Sequence, residues 1–193
     1  MRALANDMNI VVKDFWRMNL LDMLEELWVI EDQLKRMTRY LDEYLLKHPN
    51  SRLLLSIPGI GPRTTEAVLA YTDDIRRFGR SKQYCAYFGL TPRLDESGLS
   101  RRLGHISKQG PSVVRWLLVE AAWRVVRKSP VFEAFYKRVM CGQDGRKKIA
   151  IVAVARKLLS IMRAMQLSGE LFNENLVCNE FGVSKIGKVK NSA

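Results

Sequence analysis

Cysteine and histidine are scarce in this chain. Three cysteines, Cys85, Cys141 and Cys178, stand far apart in 193 residues, and no C-x-x-C pair occurs. With only His48 and His105 beside them, a zinc site has few ligands to draw on, and an odd, scattered set reads as reduced thiols. No apolar run approaches the ~18 residues that a membrane helix needs. The N-terminus has no signal-peptide h-region followed by a small-residue cleavage site, so the cytoplasm is the expected compartment and no membrane partner is expected. No strand pattern stands out, and nothing repeats beyond a set of heptads. Acidic residues are the minority, 20 against 32 Lys and Arg, and the resulting charge of +12 attracts polyanions. Hydrophobic content of 47% with 27% charged residues excludes a disordered chain.

The pattern from about Asn19 to Lys47 is heptad. Leu20, Leu27, Leu34 and Leu41 share one position, and Met23, Ile30, Met37 and Tyr44 fall three residues later. Four heptads without Gly or Pro predict a long helix, and the narrow apolar seam favours pairing between chains over folding back on one domain. Trp16 and Trp28 lie off that seam. His48-Pro49-Asn50 breaks the helix. Ser51 to Ala70 reads as a short helix, a Pro-Gly-Ile-Gly-Pro turn and a second helix. Further helices are expected over Arg80–Phe88, Ser112–Lys128, Val131–Met140 and Lys147–Met165, with Gly89 ending the first and Pro111 opening the second. Leu90 to Gly110 reads as loop. The signal fades after Ser168, and Gly182 to Ala193 reads as a basic tail. The expected architecture is therefore all-α. A coiled-coil helix over residues 1–48 precedes a helical domain over 49–167 that contains a helix-hairpin-helix motif, and a weakly ordered tail occupies 168–193.

Two segments carry candidate chemistry. In IPGIGPRTTEAVLA, at Ile57 to Ala70, Gly59 and Gly61 bracket Ile60 and allow close approach of a phosphate. The open N–H groups of the following helix suit its oxygens, with Arg63 and Thr64 beside them. Such a unit grips backbone without reading sequence; the competing reading is a hairpin used only for packing. In LTPRLDESGLSRRLGHISKQG, at Leu90 to Gly110, Ser97 precedes Gly98, with Arg93, Arg101 and Arg102 within five residues. Guanidinium groups suit a phosphodiester under attack, because they pair two oxygens and stabilise developing charge. A serine hydroxyl still needs activation. Asp95 and Glu96 are positioned to neutralise the arginines, Ser100 and Ser107 are rival hydroxyls, and spacing alone does not select Ser97. Lys108 and Arg115 read as phosphate contacts, and Arg146-Lys147-Lys148 as a solvated basic patch.

The order of these segments is a heptad helix, SIPGIGPRTTEAVLAY, FGLTPRLDESGLSRRLGHISKQGPSVVRWLLVEAAW and GRKKIAIVAVARKLL. It resembles the C-terminal half of insertion-sequence transposases of the "one-ten" family, the bridge-RNA-guided recombinases, over roughly Asn19 to Met165. The resemblance implies a mostly helical transposase domain after a coiled coil. It implies a serine that attacks a DNA strand to form a phosphoserine link, and Ser97 matches that position, with Gly98 and Arg93 matching beside it. It also implies DNA and a structured guide RNA as partners, and assembly of protomers into dimers or tetramers.

Full-length members begin with an RNase H-like domain whose four acidic residues bind magnesium. This chain starts near the coiled coil, so no cofactor is expected within it, and magnesium is implied only for the acidic domain. The expectation is a chain that binds nucleic acid and does not complete strand exchange alone. The alternative is a non-catalytic helix-hairpin-helix DNA-binding or architectural protein.

Overall fold

In a computed structural model, residues 15–97 and 100–181 are described, with side chains for all of these except 94–97, 100–103 and 179–181. The chain divides into two units, Met1–Lys47 and His48–Ala193.

Among its described residues the first unit is a helix, α1 (Phe15–Lys47). It has no Gly or Pro, and Pro49 disfavours helical backbone at the preceding residue. The Asp32–Arg36 pair, one turn apart at 3.1 Å, is exposed and contributes little. Leu45 is the one buried residue of α1. The heptad positions Met23, Leu27, Ile30, Leu34, Met37, Leu41 and Tyr44 are all exposed.

The second unit is built around helices. They are α2 (Ser51–Leu55), α3 (Pro62–Thr72), α4 (Ser81–Tyr87), α5 (Ser112–Lys128), α6 (Pro130–Met140), α7 (Lys147–Ser168) and α8 (Glu174–Phe181). Helix α7 is the central element and packs against α4, α5 and α6. Its apolar residues recur at helical spacing, and Ala150, Val154, Ala155, Leu158, Leu159 and Met162 are sealed from solvent. Helix α5 contributes Val114, Leu118, Ala121, Ala122 and Val125, where the two alanines keep the facing backbone close. Aromatic rings close one end: Tyr84 meets Phe78 and Phe88 at centroid distances of 4.9 and 5.1 Å. Arg163 of α7 donates to the carbonyls of Phe78 and Gly79, which fastens this segment to the core.

Tyr84 is fully buried, and burial pushes its phenol up to about 12. Its oxygen lies 2.7 Å from Thr72 Oγ1. Thr72 spends its single hydroxyl proton on the Val68 carbonyl, so Tyr84 is the donor of that pair.

The all-α expectation holds for the architecture, with one departure. The stretch read as loop contains two antiparallel strands, β1 (Pro92–Ser97) and β2 (Ser100–Ile106). Most of its residues are charged, polar or small, and Leu94, Leu103 and Ile106 do not make an apolar alternation, so no strand pattern is visible in the sequence. The stretch after Ser168 had no expected element. There Gly169 ends α7 in left-handed backbone (φ 74°), Phe172 stacks on Phe132, and Ser129 Oγ donates to Glu174 at the start of α8. The expected tail at 182–193 lies outside the described residues.

Candidate nucleic-acid interface

The turn between α2 and α3 is set by Pro58 and Gly59. Ile60 N–H donates to the Ile57 carbonyl at 3.1 Å, and Gly59 has φ +95°, the arrangement of a type II turn with Pro then Gly at its centre. Gly61 then leads into α3 in extended backbone (φ −109°), and Pro62 occupies the first helical position, where its missing N–H costs nothing. The N-terminus of α3 has no side-chain cap.

The two glycines have different reasons to be glycine. A Cβ on Gly59 would lie 2.9 Å from Val125 N and 3.0 Å from the Arg124 carbonyl carbon, so the missing side chain admits the backbone of α5. A Cβ on Gly61 would meet only Arg124 Nη1, at 3.8 Å. Helix α5 thus brings a guanidinium to the mouth of the turn. The sequence reading missed Arg124, because some sixty residues separate it from Gly61. Arg63 is half-exposed and pairs with the buried carboxylate of Glu66 at 2.8 Å, which holds the guanidinium near α3. Thr64 is buried, and its Oγ1 has no hydrogen-bond partner. Any phosphate contact from this residue therefore runs through its backbone N–H and not its hydroxyl.

The second candidate segment is the hairpin. Its register pairs Leu94 with Leu103, Asp95 with Arg102, Glu96 with Arg101 and Ser97 with Ser100. The register slips by one residue before Pro92 pairs with Ile106, so Gly104 and His105 together oppose Arg93 in a bulge on β2. Alternation puts Asp95, Ser97, Ser100 and Arg102 at positions of one face, and Leu94, Glu96, Arg101 and Leu103 at positions of the other. Gly98 lies outside the described residues, as do the side chains of Ser97, Arg101 and Arg102. Arg93 is exposed.

The base of the hairpin is interlocked. A Cβ on Gly89 (φ +69°) would fall 2.0 Å from the Gln109 carbonyl oxygen, and one on Gly110 (φ +90°) would fall 2.1 Å from that of Tyr87. Lys108, itself at φ +55°, donates its N–H to the Gly89 carbonyl at 3.1 Å, and Ser107 donates to that of Thr91 at 2.8 Å. Arg115 of α5 reaches the Phe88 carbonyl at 3.5 Å, a long contact that ties it partly to the scaffold.

Residues 51–137, which include both segments, match the transposase IS116/IS110/IS902 family. The chain belongs to this family. It is 34% identical over 136 residues to a "probable family 20 transposase" of Pseudomonas aeruginosa, covering 70% of this chain and 40% of that protein. It is 31% identical over 178 residues to the pilin gene-inverting protein of Moraxella bovis, covering 91% of this chain and 54% of that one. The transposase for insertion sequence element IS1111A of Coxiella burnetii is 34% identical over 120 residues, covering 61% of this chain and 33% of that transposase. The chain thus spans a third to a little over half the length of these relatives.

The transposase fold does not merge the two candidate segments into one cleft. Gly59 and Gly61 meet α5 at Arg124, whereas the hairpin feeds into α5 at Ser112, about 18 Å away along the helix axis at 1.5 Å per residue. The phosphate-contact candidates therefore form two groups. Gly59, Gly61, Arg63 and Thr64 are at one end of α5; Arg93, Arg101, Arg102, Lys108 and Arg115 belong to the hairpin and its base. Among the described residues no three His, Cys, Asp or Glu side chains converge to hold a metal ion. No helix among the described residues is long and apolar enough to cross a membrane.

Proposed function

We propose that this chain is the DNA-gripping and strand-attacking region of an insertion-sequence transposase. Its duplex grip is the turn before α3. The uncapped N–H groups of that helix donate to phosphate oxygens, and Arg63 and Arg124 flank them. Its chemical element is the hairpin, with Ser97 as nucleophile. The register is the observation that carries this reading. Ser97 is the last paired residue of β1, next to rungs bearing Arg101 and Arg102, on a hairpin whose base two glycines lock. In the attack, Ser97 Oγ forms a bond to phosphorus as the bond from phosphorus to a sugar oxygen breaks. The serine gives up its proton, the departing sugar oxygen takes one up, and the ester bond is conserved for rejoining.

About 18 Å between the two groups corresponds to roughly five base-pair steps along a duplex at 3.4 Å each, so one DNA segment can meet both. The exposed seam of α1 supports pairing of two chains through a coiled coil. A structured guide RNA is the partner that family resemblance adds. In this reading the residues of this chain bind DNA, and strand exchange draws on an acidic metal-binding domain as well.

One observation favours a second reading. Asp95 and Glu96 are in register with Arg102 and Arg101, so the arginines have carboxylates as cross-strand neighbours. A purely architectural DNA-binding protein would use them that way, and Ser97→Ala would then leave every activity intact.

The duplex grip is tested by affinity titration at several salt concentrations. Three or more phosphate contacts give a log–log slope of about −3 or steeper, and Gly61→Val and Arg124→Gln each weaken binding. A flat salt dependence would remove the DNA-binding reading.

A further inference from the structure

Where the hairpin meets α7, a groove of about 560 Å³ opens on the surface of the second unit. Its walls are apolar: Leu90, Ile106, Val152 and Ala153, with the exposed Ile149 at the edge. Among the described residues its ionisable lining is Lys148, Arg156 and His105, the last in the bulge with Gly104, and includes no carboxylate. A second hollow of about 430 Å³ shares Ala153 and Arg156 with the first and adds Lys82 and Lys157, again with no carboxylate among the described residues. Arg156 stands between the two hollows. Its Nε is buried and has no hydrogen-bond partner. Buried donors are rarely left unsatisfied, and a guanidinium in this state suits an anion that can take two of its N–H groups.

We propose that this groove holds an unpaired nucleotide of a nucleic-acid strand, with its base against the apolar walls and its phosphates on Arg156 and the neighbouring lysines. The proposal rests on the nucleic-acid reading above and adds a second site to it. Charge selects the occupant. A hydrophobic polypeptide segment would fill the apolar walls but leave a one-signed cationic margin without a counter-charge, whereas a nucleotide satisfies both. Duplex DNA satisfies only the margin, because paired bases keep their faces inside the stack; an unstacked base can lay its face on the walls. The volume lies in the range of pockets that accommodate small organic ligands. The site is also well placed. Pro92, where β1 leaves the groove, is five residues from Ser97, or roughly 17 Å at strand rise. A strand seated in the groove can run alongside the hairpin that carries the serine.

The test uses the full chain and three labelled probes of equal length: an oligothymidylate strand, the same strand with abasic sites, and a duplex. Fluorescence anisotropy is expected to give tighter binding for the base-bearing strand than for the abasic one by about tenfold. Val152→Trp, which fills the groove, should erase that difference. Arg156→Gln should weaken single-strand binding several-fold and reduce the salt slope by about 0.7. A cross-linking strand with iodouracil, used on the unmodified chain, should attach within Gly104–Ile106 or Lys148–Arg156, which keeps the result independent of how the variants fold. Equal binding of the two strands, or attachment only elsewhere, overturns the proposal and leaves the groove to a polypeptide. Duplex binding without base dependence overturns the groove alone; no binding to any probe overturns the DNA-binding reading with it.

Discussion

Gly59→Ala tests the packing that shapes the turn. The added Cβ would stand 2.9 Å from Val125 N and 3.0 Å from the Arg124 carbonyl carbon. Both are backbone atoms of α5, which cannot rotate aside as a side chain would. The position also has φ +95°, in a region where an L side chain costs about 1 kcal/mol. Overpacking adds roughly 1–3 kcal/mol, so the loss is about 2–4 kcal/mol. For a chain of this length each kcal/mol shifts Tm by about 2–4 °C, which gives a fall of roughly 5–15 °C. Gly61→Ala is the control. Its backbone is ordinary, its nearest neighbour would be 3.8 Å away, and its stability should change by less than about 0.5 kcal/mol. Thermal melts followed by circular dichroism measure both. Equal melting of Gly59→Ala and the parent chain, or an equal loss in both variants, would refute the argument that Gly59 is needed for α5 to approach.

Thr64→Val removes a buried hydroxyl without a partner and should be neutral or stabilise by up to about 1 kcal/mol in denaturant unfolding. If the same variant loses DNA affinity, the hydroxyl serves DNA after all. Tyr84 ionises at about 12 in the folded chain and near 10 when unfolded, so its contribution is complete below pH 10 and is lost as pH rises toward 12. That loss is about 2–3 kcal/mol, and unfolding and tyrosinate absorbance should move together across this window. His48 is shifted down by burial, and its Nδ1 accepts the Asn50 N–H at 3.2 Å. Stability from this contact is present above pH 6.5 and is lost as pH falls through the lowered value, which imidazole proton shifts will register. Leu34→Glu in the exposed seam of α1 should convert a paired species to a monomer in light scattering. An unchanged mass would remove the coiled-coil proposal.

The helices were legible because apolar spacing and breakers agree. Ser112–Lys128 is bounded in the sequence by Pro111 and Ser129-Pro130, and α5 has those limits. Gly89 was readable as a helix stop, and its φ of +69° is the reason. The hairpin was not legible. Two glycine contacts with distant backbone organise its base, and they leave no apolar period in the sequence. The sequence offers Gly59 as an opening for phosphate, and it does not reveal that the backbone of α5 approaches the same glycine. Arg124 and Arg156 were invisible as site residues for a related reason. Each gains its place from helix packing, next to a turn or groove formed by residues far away in the chain. Thr64 illustrates the converse: its neighbours in sequence suggested an exposed contact, and its burial is decided by the core.

Whether Ser97 attacks DNA can be decided by covalent capture. The chain is mixed with element-end DNA, guide RNA and magnesium, with and without a separately expressed acidic domain, and run on denaturing gels. A serine nucleophile gives a protein–DNA adduct that requires the acidic domain and disappears in Ser97→Ala. An adduct that survives Ser97→Ala, or no adduct under either condition while DNA binding persists, would contradict it.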